Sequence, residues 1–179
     1  MRKRENKKGQ VWIETVLYTL IGLALMGIAL GFIMPKINQT RDKLLVEQAI
    51  TSLSVLDDKI IETLEGAPGS TRKTEFSMKK GELVFDAVND EITFSLTGLS
   101  SAFSEPGMEA RSGRIIVNTT QGQKNYNIVL KIRYNADITY DNANEAKKIN
   151  AAPTPYVFIT ENKGVQNDRD VIDVREISK

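Results

Sequence analysis

Glu14 stands near the start of "QVWIETVLYTLIGLALMGIALGFIM", residues 10–34, a run with no other charged residue. An isolated ionised carboxylate at the centre of a bilayer costs about 2.5 to 3.5 kcal/mol on insertion scales. Its position asks for a cation at the same depth. Hydrolysis of the peptide bond between Gly9 and Gln10 would supply one, because it frees an α-amino group four residues before Glu14. Positions i and i+4 share a helix face. Amine and carboxylate could therefore pair within one chain, or between an incoming chain and one already packed. A desolvated ion pair adds little net stability, but leaving either charge alone is costly, so the pair works as a register device.

Two other readings of the run compete with this one. The first is a plain transmembrane anchor whose acid sits close enough to the edge to snorkel. The second is a conventional secretory signal peptide, with "ALG" at 29–31 as its small-residue cleavage pattern. Against the second, the run is long for such a peptide's apolar core and contains a carboxylate.

Other chemistry is thin. The sequence has no Cys, which removes disulfides, thiol nucleophiles, lipoprotein anchors and thiolate metal sites. It has no His, which removes His triads, His-ligated metals and the commonest general base. No Gly-x-Ser-x-Gly or phosphate loop occurs, so neither an enzyme nor a cofactor is expected. "DITYDNANE" (137–145) and "NDRDVID" (167–173) carry oxygen ligands but lack EF-hand spacing, and no metal site is expected. Asn38 in "NQT" and Asn118 in "NTT", beside a turn, match the N-glycosylation acceptor pattern.

These residues need elements to hold them. At about 1.5 Å per residue, residues 10–34 are long enough to cross a hydrocarbon core of about 30 Å. Arg2, Lys3, Arg4, Lys7 and Lys8 precede them against Glu5 alone, so the tail is expected on the cytoplasmic side and everything past Pro35 outside. With 24 basic and 23 acidic residues overall, that tail leaves the remainder mildly acidic, and nothing points to nucleic acid. Gly27 and Gly31 form a small-xxx-small pair, with Gly22 a turn earlier, as closely packed helices use.

Pro35 suits either the first turn of a second helix or a kink in one long rod. Beyond it, Val46, Ala49, Leu53, Leu56, Ile60 and Leu64 recur in steps of three and four, which predicts an amphipathic helix. "EGAPGS" (65–70) ends it, with Gly66 as the cap.

From residue 70 the period becomes two. Phe76 and Met78, Ile92 to Leu96, Tyr126 to Tyr134, and Tyr156 with Phe158 alternate with mostly polar neighbours and predict half-buried strands. Turns fall at 79–82, 88–91, 120–123 and "NKG" (162–164), and longer loops at 104–113 and 140–148. The expected fold is α+β: a long N-terminal helix that is hydrophobic, then amphipathic, followed by an antiparallel β-rich, sandwich-like head.

Lys7-Lys8-Gly9 followed by Gln10-Val11-Trp12-Ile13-Glu14 and an unbroken apolar helix resembles the class III signal peptide of archaeal type IV pilins and archaellins. The resemblance covers about residues 7–34, with Trp12 where a small or hydroxyl residue is common and Tyr18 where Leu is usual. It implies a prepilin peptidase that cuts between Gly9 and Gln10, basic recognition residues including Lys7 and Lys8, and Glu14 as the assembly carboxylate. It further implies an assembly ATPase, a membrane platform protein and self-association or association with related pilins.

The expected organisation is a cleaved leader at 1–9, a helix at 10–66 divided at residues 34 and 35, and an extracellular head at 70–179. The expected function is a filament subunit, membrane-inserted as a precursor. The rival is a single-span anchored β-domain protein that never polymerises.

Overall fold

The computed structural model describes residues 7–177, with side chains from Val11 onward. A single helix, α1 (Lys7–Leu64), comes first. Ten strands follow: β1 (Thr71–Phe76), β2 (Glu82–Asp86), β3 (Glu91–Leu99), β4 (Glu109–Ser112), β5 (Ile115–Gln121), β6 (Tyr126–Arg133), β7 (Asp137–Tyr140), β8 (Ala146–Asn150), β9 (Tyr156–Gln166) and β10 (Arg169–Glu176). The α+β class expected from the sequence is the class observed.

Contacts divide the chain into two compact units, one ending at Thr40 and the other beginning at Arg41. The first unit is helical throughout its described length, and its helix passes through Pro35 rather than ending there. Within it, Thr15 and Thr19 turn their hydroxyls back onto the helix, donating to the carbonyls of Val11 and Thr15 at 2.9 and 2.8 Å.

In the second unit the remaining part of α1 packs on two sheets. One has the order β1-β9-β10-β7, the other β4-β5-β6-β3-β2-β8. Every pairing is antiparallel except that of β10 with β7. Val46, Ala49, Leu53, Leu56 and Ile60 form the buried stripe of the helix, the same three-and-four spacing read from the sequence.

The sheets meet through Phe85 of β2 and Phe158 of β9, edge to face at 5.3 Å, and through Phe76 of β1 and Phe94 of β3 at 6.0 Å. Leu53, Leu56 and Ile60 close the same cluster from the helix side. One core thus serves both sheets and the amphipathic part of α1.

Several local expectations need correction. "NKG" is not a turn between strands. It lies inside β9, where the register with β10 slips so that Ile172 faces Asn162 and Val171 faces Gly164, leaving Lys163 as the extra residue of a bulge. Gly164 takes φ +77, which only glycine adopts without cost.

Residues 104–113 and 140–148 are not loops throughout: they contain β4 and the start of β8, two short strands at opposite edges of the six-stranded sheet. Gly66 ends the helix without a left-handed backbone. Its lack of a side chain serves a close approach instead, since a Cβ there would press on the Ser70 side chain and lie 3.3 Å from the Thr63 carbonyl.

Candidate functional site

The side chains of α1 from Val11 to Thr40 are exposed. Trp12 is 71% and Phe32 77% accessible, and the most apolar window has a mean hydropathy of 2.3 with none of it buried. Folded monomers seldom expose apolar patches beyond a few hundred Å². This surface demands a cover, either hydrocarbon or other protein. Among the described residues, α1 is the one helix long and apolar enough to cross a membrane.

Lys7, Lys8, Gly9 and Gln10 are helical, and their side chains lie outside the described ones. Glu14 sits one turn on, exposed. A Cβ added at Gly22, Gly27 or Gly31 would meet nothing within 4 Å. Gly27 and Gly31, four apart, share a helix face; Gly22 lies off it. Asn38 is exposed on the helix, while the Thr40 hydroxyl of its triplet donates to the Lys36 carbonyl at 3.0 Å. Asn118 is not beside a turn. It is half-buried in mid-β5, opposite Glu109 on β4 and Val129 on β6.

The second unit fixes its helix by polar contacts that sequence patterning missed. Asn162, held by the bulge, donates from Nδ2 to the carbonyls of Thr63, Leu64 and Gly66 at 3.1, 3.4 and 3.0 Å. These carbonyls lie at the helix end, where the amides of a further turn are missing; that of Thr63 also accepts the Gly66 amide at 3.2 Å and the Ser70 hydroxyl at 3.3 Å. The Thr63 and Thr160 hydroxyls bond at 2.8 Å beside them. Near the other end of this packed part, Asp42 accepts from the Ser100 amide at 2.6 Å and from its hydroxyl at 2.5 Å, pinning the β3–β4 connection.

Midway, the buried Asp57 carboxylate lies 3.3 Å from the Arg114 guanidinium, which stacks over the Tyr134 ring at 5.2 Å. Burial pushes the Asp57 carboxyl up; the Tyr134 hydroxyl and Arg114 pull it back, and Asp58 adds to the rise. The Tyr134 hydroxyl is driven well above its usual range by burial and then by the Asp57 charge. It makes no hydrogen bond of good geometry, so proximity to Asp57 acts mainly through charge.

Two concavities among the described residues bear on binding. A groove of about 440 Å³ runs between α1 residues 44–52 and Ser77–Lys80, floored by Ala49, Met78 and Phe94. A polar cleft of about 240 Å³ lies at Asp90, Asp137 and Arg169. There the Arg169 guanidinium spans both carboxylates at 3.0 and 2.6 Å, and Asp90 also accepts the Ile138 amide. Its charges are spent on each other.

The acidic stretches named for metal resolve similarly. Asp173 is buried and accepts from the Thr139 hydroxyl at 2.8 Å and the Asn142 amide at 2.6 Å. Among the described residues no three acids could hold a metal ion. Among the described residues, the apolar surface of α1 and the groove are left open. No known family, curated protein or solved structure matches this chain.

Proposed function

We propose that the chain is a pilin-like structural subunit, cut after Gly9 and assembled through its apolar helix into an extracellular filament. The single observation that carries this reading is the wholly exposed, uncovered apolar surface of α1 from Val11 to Met34, joined in sequence to a folded α+β unit. Lipid covers that surface in the precursor. Helices of other copies cover it in the filament. The exchange costs little, because lipid tails and a bundle interior are similarly apolar.

Gly27 and Gly31, with room at their surface, suit close approach of a neighbouring helix. Glu14 supplies the register, meeting the α-amino group that cleavage creates at Gln10. A prepilin peptidase, an assembly ATPase and a membrane platform are the partners this scheme requires. No catalytic role is assigned to the head.

Two measurements test it. Sequencing of protein purified from the cell surface should give Gln10 as the first residue; an intact leader favours the static single-span anchor. Glu14→Ala should leave processed protein in the membrane and cut surface filaments at least about tenfold, the loss expected when about 1.4 kcal/mol of contact energy disappears per subunit. Filaments of unchanged abundance would remove the charge-pairing step.

A further inference from the structure

The β3–β4 connection carries a rigid projection. Glu105-Pro106-Gly107-Met108 forms a β-turn in which the Met108 amide donates to the Glu105 carbonyl at 3.1 Å. Pro106 at its second position and Gly107, φ +81, at its third are the residues a type II turn prefers. The Gly107 amide ties the turn to β5 through the Thr119 carbonyl at 3.0 Å. Met108 is left 60% exposed at the tip, between the exposed acids Glu105 and Glu109.

The groove between α1 and Ser77–Lys80 has the opposite character. Its floor of Ala49, Met78 and Phe94 is apolar, and Lys79 and Lys80 stand at its edge. Lys80 Nζ reaches the Gly98 carbonyl at 3.4 Å, and among the described residues neither lysine forms an ion pair. Glu47 also lines the groove, but it faces Lys43 at 3.9 Å.

Among the described residues no hydrogen bond or ion pair joins the Met108 turn to the groove. Arg114, at the far end of the β4–β5 hairpin from Met108, is anchored to Asp57 on one flank of α1. Gln48, which lines the groove, is nine residues before Asp57, hence about half a turn around the helix at 3.6 residues per turn. Arg114 and the groove thus lie on different sides of α1.

We infer that the Met108 projection of one copy seats in the Met78–Phe94 groove of a second copy, with Glu105 and Glu109 against Lys79 and Lys80. A flexible thioether against a Met and an aromatic ring is a favourable filling for such a cavity. Because the two surfaces differ, the contact is heterologous and repeats head to tail instead of closing as a two-fold dimer. The inference rests on the filament reading and adds a contact between heads to the one between apolar helices. Arg111, two residues after Glu109, is the nearest cation on β4 and sits outside the projection.

The absence of native cysteine gives a clean test on the full-length protein in its native filaments. The double variant Met108→Cys with Ser77→Cys, treated with bis-maleimidoethane, should give a ladder of covalent dimers, trimers and longer species; each single variant should stay monomeric. Abundant filaments without a ladder overturn this contact and leave the filament reading standing. A dimer from Met108→Cys alone overturns it in favour of a two-fold arrangement. Absence of filaments from the wild-type chain overturns both readings. As a check independent of cysteine, Lys79→Glu with Lys80→Glu should lower filament yield at least about threefold, and Glu105→Lys with Glu109→Lys should restore it if the pairs face each other. Failure of that restoration, with the heads still folded, also counts against the contact.

Discussion

The two parts of α1 on either side of Thr40 are one helix by hydrogen bonding and two different materials by surface. From Val11 to Thr40 the side chains are exposed and mostly apolar; from Arg41 to Leu64 a stripe of five residues is buried and the opposite face is polar. Helix propensity does not account for the contrast: Gly22, Gly27, Gly31 and Pro35 lower it in the first part alone, and propensity depends on backbone and rotamer freedom, not on what surrounds the side chain. Burial therefore records partnership. The second part has found its partner in its own chain, whereas the first needs one from outside it.

Matched substitutions sharpen this contrast most. Leu53 is fully buried beneath the sheets, and Leu53→Ala should destabilise the head by about 3 kcal/mol, read from the chemical denaturation midpoint in detergent. Leu23, 60% exposed, should change the same midpoint by less than about 0.5 kcal/mol when replaced by Ala. Equal effects would break the distinction between the two parts.

Next in size is the helix end. Asn162→Ala removes the donor to the carbonyls of Leu64 and Gly66 and one of the donors to that of Thr63, together with the Oδ1 that accepts the Gly164 amide at 2.7 Å, and should cost about 2 kcal/mol. Hydrogen exchange at the amides of the last helical turn would report it first. A loss no larger than that of a surface substitution would mean that the sheets alone hold this end.

The smallest effect concerns the carboxylate in the packed part. Burial raises Asp57 above its ordinary value of 3.8, so the folded protein holds this proton more tightly than the unfolded chain does. Stability then falls as pH rises from about 4 through the raised value, and the ionised form is the less favourable one at neutral pH. Asp57→Asn should flatten that part of the stability profile and leave stability at pH 7 within about 1 kcal/mol of the wild type, because Arg114 is exposed enough to be rehydrated. A larger loss would show that the ion pair to Arg114 outweighs burial.

Periodicity made much of this architecture legible. The spacing of Val46 to Ile60 and the alternation at Ile92–Leu96 and Tyr126–Tyr134 placed a helix face and two strands, because each had one wet side and one dry side. β2, β5 and β10 escaped the same reading. "ELVFD" is short and sets an apolar, half-buried Val84 between buried Leu83 and Phe85, and "DVIDV" buries neighbouring residues on both faces, so alternation is blurred in the sequence.

Asn162 escaped because its role is set by Thr63 and Gly66, nearly a hundred residues earlier, and "NKG" has the local chemistry of a turn. Of the candidate site, Glu14 and the apolar run were visible from residue type alone. The groove under Lys79 was not, since it exists only where α1 crosses the end of β1 and the side of β3.

The place of β10 in its sheet bears on biogenesis. It lies between β9 and β7, pairing with the former antiparallel and the latter parallel. The four-stranded layer therefore has a missing slat until the ribosome has made residues 169–176, long after the apolar helix has emerged. The order of synthesis thus puts the apolar helix first and the closing strand of that layer last.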